Sequence, residues 1–206
     1  MARSADKHDD KKRELLSIAE KLFMEKGYQK TSLDDILRAS GISKGGFYHY
    51  FKSKDEVLSE SINNMIDEVL AILQKVVDEE KLGALDKLNL FLSEKSKFQS
   101  SKAEYAKLLG VLMQTDVSQY IYYVTVSRKL VTPLAQIIRQ GVNEGIFDVQ
   151  FPEETADILT RIINSVMQSA PYLEYLSDAE KHKRYVSSVQ TMISRTLGLK
   201  APIKLY

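Results

Sequence analysis

Helical periodicity that returns along nearly the whole chain is what most restricts its fold. Between Asp9 and Lys26, the apolar residues Leu15, Ile18, Ala19, Leu22 and Phe23 recur at steps of three and four, which puts them on one stripe of a helix. Gly27 ends that segment. The same spacing returns in Leu33, Ile36 and Leu37, then in Val57, Leu58, Ile62, Met65, Val69 and Ile72. It continues in Leu85, Leu88, Phe91 and Leu92, and in Tyr105, Leu108, Leu109 and Leu112. Leu130, Leu134, Ile137, Ile138 and Val142 form a further stripe, with a kink expected at Pro133 and a stop at Gly145. Pro152 followed by Glu153 and Glu154 opens another helix, because proline suits the first helical position and acids suit the positive end of the dipole. It carries Ala156, Leu159, Ile162, Ile163, Val166 and Met167. A last helix is expected to open at Ser177, with Glu180 three residues on, and to carry Val186, Val189, Met192, Ile193 and Leu197 before Gly198. No strand-like alternation of useful length and no internal repeat interrupts this pattern, so the expected fold class is all-α.

Composition narrows the function. At 206 residues, with 44% hydrophobic and 28% charged residues, the chain reads as globular and long enough for two domains. No apolar run reaches the roughly 18–20 residues that a bilayer span needs. The opening MARSADKHDDKKRELL is basic but has no apolar h-region, so no secretory signal is expected, and a cytoplasmic location is. The absence of cysteine rules out disulfides and thiolate metal sites. Charge is uneven: Met1 to Lys54 holds 12 basic against 8 acidic residues, and the remainder 17 against 20. A basic N-terminal block suits a polyanion, although a modest excess is equally a solvated face.

The stretch GISKGGFYHYFKSK, residues 41–54, carries the sharpest signal. Thr31 and Ser32 each have an aspartate three residues on, the capping-box arrangement, and Gly41 stops the short helix that follows. Ser43 is placed to cap a third helix from Lys44 to about Tyr50, and Ser53 with Glu56 to cap a fourth. Two short helices joined by a tight turn have the form of a helix-turn-helix unit, whose second helix enters the major groove. Adjacent glycines, Gly45 and Gly46, each cost a helix about 1 kcal/mol, but they let backbone approach phosphates and bases closely. Lys44 supplies charge, Tyr48 and His49 supply polar ring edges for phosphate oxygens, and Lys54 a second phosphate clamp. Phe47 and Phe51, four residues apart, share a face and belong to the core beneath.

With those residues in place, the run AEKLFMEKGYQKTSLDDILRASGISKGGFYHYFKSKDEVL resembles the DNA-binding domain of the TetR/AcrR family of bacterial transcriptional repressors. Phe23, Gly27, Thr31, Ile36, Ala39, Gly41, Ser43, Lys44, Gly45, Tyr48, Phe51, Lys54 and Leu58 fit that family's pattern. The resemblance implies an N-terminal three-helix helix-turn-helix domain, residues 1–54, followed by a larger helical effector-binding and dimerisation domain, residues 55–206. It also implies DNA contacts at Lys44, Gly45, Tyr48, His49 and Lys54, and at Thr31 or Ser32 from the first helix of the unit. Gly46 departs from the commoner threonine, serine or alanine, which removes one side-chain contact. A homodimer is implied through helices near 152–170 and 178–197, reading a palindromic double-stranded operator, and a small-molecule effector is expected to release it. Clustering of apolar and aromatic residues singles out Phe91, Tyr105, Leu109, Met113, Tyr120 and Tyr123 as a pocket for a hydrophobic or aromatic effector.

Two other classes compete. An enzyme is disfavoured because the sequence has no phosphate loop, no glycine-flanked nucleophilic serine and no two-histidine metal pair. No catalytic residue, cofactor or metal is therefore expected. A protein-interaction module would suit the amphipathic helices but leaves Lys44 and the glycine pair unexplained.

Overall fold

The computed structural model of the chain describes residues 2–101, 110, 116–167, 174–175, 177–201 and 203. Among these there are eight helices and no strand. They are α1 (Ala2–Lys26), α2 (Leu33–Ser40), α3 (Lys44–Tyr48), α4 (Lys54–Val77), α5 (Ala84–Ser101), α6 (Asp116–Asn143), α7 (Pro152–Met167) and α8 (Ala179–Thr196). The expected segment around Leu108 and Leu112 lies outside the described residues. The chain divides into two compact units, Met1–Met65 with Lys102–Tyr122, and Ile66–Ser101 with Tyr123–Tyr206. No described helix is long and apolar enough to cross a membrane.

In the first unit, α1 packs against α2. Leu15, Leu16, Ala19, Phe23, Ile36, Phe47, Phe51, Val57, Leu58 and Ile62 are buried. Each such side chain withdrawn from water contributes about 1.5–3 kcal/mol, and this holds α2 and α3, eight and five residues long and too short to persist alone. α1 starts at Ala2 rather than at Asp9. Its first turns have no apolar stripe to announce them; beyond them, exposed ion pairs run along the helix, Arg13 with Asp10 and Lys11 with Glu14. Lys12 reaches Glu60 of α4 at 2.7 Å and lies over the Phe51 ring, 5.5 Å from its centroid.

In the second unit, the buried residues include Leu73, Leu88, Phe91, Leu130, Leu134, Ile137, Ile138, Ala156, Leu159 and Ile193. α6 continues through Pro133, and α7 packs against α8. The start of α8 differs from expectation. Asp178 is the N-cap, its carboxylate accepting from the Lys181 N–H at 3.1 Å, while the Ser177 hydroxyl donates backwards to the Glu174 carbonyl at 2.7 Å. Two capping side chains stood side by side, and the one already committed upstream lost. At α4, the Glu56 N–H donates to Ser53 Oγ at 3.1 Å as expected, but the Glu56 carboxylate reaches back to the Lys52 N–H.

Candidate nucleic-acid interface and ligand pocket

The turn between α2 and α3 is built by three local devices. Ser32 caps α2 by accepting from the Asp35 N–H at 3.1 Å, and Asp35 accepts from the Ser32 N–H at 3.0 Å, closing a capping box. The Ser32 backbone bond, then its hydroxyl and Lys26, hold the Asp35 carboxyl well below the usual carboxylate range. α2 ends at Gly41, where φ is 65°, a left-handed conformation open to a residue without Cβ. Ser43 then caps α3, its Oγ accepting from the Gly46 N–H at 3.1 Å.

α3 is only five residues long and is fixed by its rings. Phe47 is wholly buried and Phe51 nearly so, their centroids 5.8 Å apart. Lys44, Gly45, Tyr48 and His49 are exposed, Tyr48 by 49%. Among the described residues Lys44 makes no ion pair, so its charge is available to a partner. The two glycines differ. A Cβ at Gly45 would meet nothing within 4 Å, whereas one at Gly46 would stand 2.7 Å from Ile42 Cγ1 and 3.3 Å from the capping Ser43 Oγ. Ile42 thus occupies the space that a side chain at position 46 would need, which accounts for glycine there.

Thr31 and Lys54 are turned inward. The Thr31 side chain is buried, its hydroxyl donating to the Gly27 carbonyl at 2.8 Å, so Ser32 is the exposed member of that pair. Lys54 Nζ donates to the carbonyls of Tyr28 at 2.9 Å and Thr31 at 2.8 Å, and sits 4.2 Å from the Tyr28 ring centroid. Burial pushes its pKa down. Two of its three donors are thereby used on backbone carbonyls. The Tyr28 hydroxyl donates to Asp55, and burial followed by that bond pushes its pKa up. One neighbour gave no sequence signal: His8 of α1 lies 5.2 Å from the His49 ring and 4.8 Å from Tyr50, centroid to centroid.

Of the six expected pocket residues, Phe91, Tyr120 and Tyr123 fall within the described residues. Tyr105, Leu109 and Met113 lie outside the described residues. Tyr120 is 69% exposed, and Tyr123 is half-buried, with burial pushing its hydroxyl pKa up. Phe91 is buried and lines a cavity in the second unit with Leu130, Leu134 and Ile163. Lys95 and Asn164 also line it, and Lys95 Nζ donates to Asn164 Oδ1 at 3.1 Å. No group of three or more histidines or acids suited to a metal occurs among the described residues.

Residues 15–60 match the sequence profile of bacterial regulatory proteins, tetR family. The chain is 27% identical over 157 residues to the HTH-type transcriptional repressor KstR2 of Mycolicibacterium smegmatis, covering 73% of this chain and 72% of that one. It is 27% identical over 197 residues to the HTH-type transcriptional regulator YfiR of Bacillus subtilis, covering 88% and 93%. Among solved structures, the SmeT–triclosan complex aligns with a TM-score of 0.67 at 18% identity, covering 96% of this chain and 97% of that one. Reduced Escherichia coli NemR aligns at 0.60 and 17% identity, covering 88% and 96%.

Proposed function

Because the chain belongs to the TetR family of bacterial transcriptional regulators, we propose that it is a repressor which binds a palindromic operator as a homodimer and leaves it when a small hydrophobic effector binds. The observation that carries the DNA reading is the exposed side of α3, where Lys44, Gly45, Tyr48 and His49 face water while Phe47 anchors the helix from beneath. Ser32, Ser43 and Lys54 flank it as phosphate contacts. Residues 1–54 form the reading head in this account and residues 55–206 the effector and dimer body, working in the cytoplasm, where bacterial DNA lies. One head covers a half-site, and a two-fold axis supplies the other.

For the dimer, the supporting observation is on α7. Ile158 and Ile162, four residues apart, are 54% and 37% exposed, an apolar strip on a helix whose other side is already buried. Replacing both with glutamate is expected to give a folded monomer by light scattering at micromolar concentration. A dimer that persists moves the interface elsewhere. For the effector, the support is a helical body with an apolar cavity, together with a structural neighbour, SmeT, solved with triclosan.

The test is selection of fragmented genomic DNA by the purified chain at physiological salt. An enriched inverted repeat is expected, and affinity for it should fall about a thousandfold or more between 50 and 200 mM salt as phosphate contacts release counterions. Enrichment of nothing, with flat salt dependence, removes the DNA reading in favour of an interaction module. Gly45→Ala separates fold from recognition. Helix propensity favours alanine by about 1 kcal/mol, and its methyl meets open space, so stability holds or rises. Operator affinity is nevertheless expected to drop at least tenfold, because the methyl stands where DNA backbone must approach. Unchanged affinity in a filter-binding assay would place Gly45 off the interface.

A further inference from the structure

The cavity bounded by α5, α6 and α7 has a chemically unbalanced end. Its walls are mostly apolar, from Phe91, Leu92, Leu130, Leu134 and Ile163 with Thr160 among them, yet a lysine ammonium and a carboxamide meet inside it. Lys95 has donors only, so the atom facing it must be Asn164 Oδ1, which leaves the amide nitrogen pointing elsewhere. That nitrogen is buried in a residue only 3% exposed, and it donates to nothing among the described residues. The ammonium is likewise without a counter-charge: among the described residues its only polar partner is the neutral Asn164 oxygen. Burial pushes the Lys95 pKa down to about 8, so at pH 7 the group still holds its proton. An unpaired positive charge and an unused N–H, side by side in an apolar setting, are each costly to keep.

We infer that this cavity receives the carboxylate head of a singly charged acid with an apolar body, one oxygen on Lys95 Nζ and the other accepting from Asn164 Nδ2. A carboxylate has two oxygens and one negative charge, matching two donor groups, the ammonium and the amide nitrogen, and one positive charge. A phosphate monoester brings close to two negative charges and would leave one uncompensated. A neutral carbonyl would satisfy the amide and leave the ammonium unpaired. The cavity is small, about 20 Å³, room for an oxygen of the head and not for the apolar body. The inference rests on reading the second unit as the effector-binding body, and it names the class of effector.

The experiment is calorimetry at pH 7 on the full chain with octanoate, decanoate, benzoate and 4-phenylbutanoate, each against its own primary amide. At least one acid is expected to bind tenfold or more tightly than its amide. Asn164→Asp places a carboxylate beside the ammonium. It should raise the melting temperature and abolish the preference for acids, as should Lys95→Met. Circular dichroism shows whether the variants fold. The inference is overturned if no acid binds the wild type, if the amides bind equally well, or if either folded variant keeps the preference. Affinity for the selected inverted repeat, measured with and without the bound acid, reads the repressor mechanism separately. An acid that binds through Lys95 without weakening DNA binding upholds the carboxylate site and removes effector release. A neutral compound that releases DNA, with no acid preferred, does the reverse.

Discussion

Phe47→Ala is expected to cost the N-terminal unit about 3–5 kcal/mol and to abolish operator binding. The ring is wholly buried against Phe51, and α3, five residues long with two glycines, has no intrinsic helical stability to fall back on. Without the ring, the helix proposed to read DNA loses its anchor. Urea unfolding followed by circular dichroism checks the first part, and operator binding by fluorescence anisotropy the second. Tyr48→Ala is the matched control: its ring is half in water, so stability should change by less than about 1 kcal/mol while operator affinity falls. A Phe47→Ala loss below about 1 kcal/mol would mean that α3 is held by something other than its ring.

The second large effect runs the other way. Replacing Lys95 and Asn164 together by methionine and leucine is expected to stabilise the unliganded chain by about 3 kcal/mol at pH 7, in line with exchanges of buried charged groups for apolar ones. Both partners must change, since an asparagine oxygen left alone would forfeit part of the gain. The pH dependence identifies the cause. Lys95 has a folded pKa of about 8 against an ordinary value of 10.5, so between these the unfolded chain binds more protons, and wild-type stability rises with pH. The penalty is fully present below about pH 8 and is relieved on approaching pH 10.5. The gap between wild type and double variant should therefore close over that window. A pH-independent gap in urea titrations would assign the difference to packing instead. That the chain tolerates such a penalty is what a binding site requires, the cost being recovered when the ligand arrives.

Where local chemistry determines structure, the sequence was informative. Ser32 with Asp35, Gly41 at positive φ and Ser43 as a cap each act within four residues, and all three stand where spacing put them. Phe47 and Phe51 were assigned to the core by their separation alone, and are buried. Elsewhere the signal failed for identifiable reasons. α1 runs on to Ala2 through a polar stretch that has no stripe to detect. Ser177 and Asp178 are both good caps, and only the competing Glu174 carbonyl separates them. The inward turn of Lys54 depends on carbonyls more than twenty residues away, beyond any periodic signal. Lys95 and Asn164 are 69 positions apart, one ordinary lysine and one ordinary asparagine, and they become a site only when folding brings them together. Tyr120, an aromatic that clustering alone assigns to a pocket, is largely exposed, which its position in the sequence does not reveal.

The inward lysine has a consequence for exchange between relatives. Lys54 and Asp55, at the start of α4, are tied to Tyr28 and Thr31, at the turn after α1, so the segment from Ser32 to Ser53 leaves and rejoins the protein at one fastened point. Every residue proposed to contact DNA lies on that segment, apart from Lys54 in the clasp itself. A stretch whose two ends are pinned together is a cassette: its length and its clasp are fixed by the host, and its outward residues are free to differ. Specificity in such a protein is therefore portable, able to pass between chains as a block of about twenty residues, with the clasp and the body beyond it left as they are.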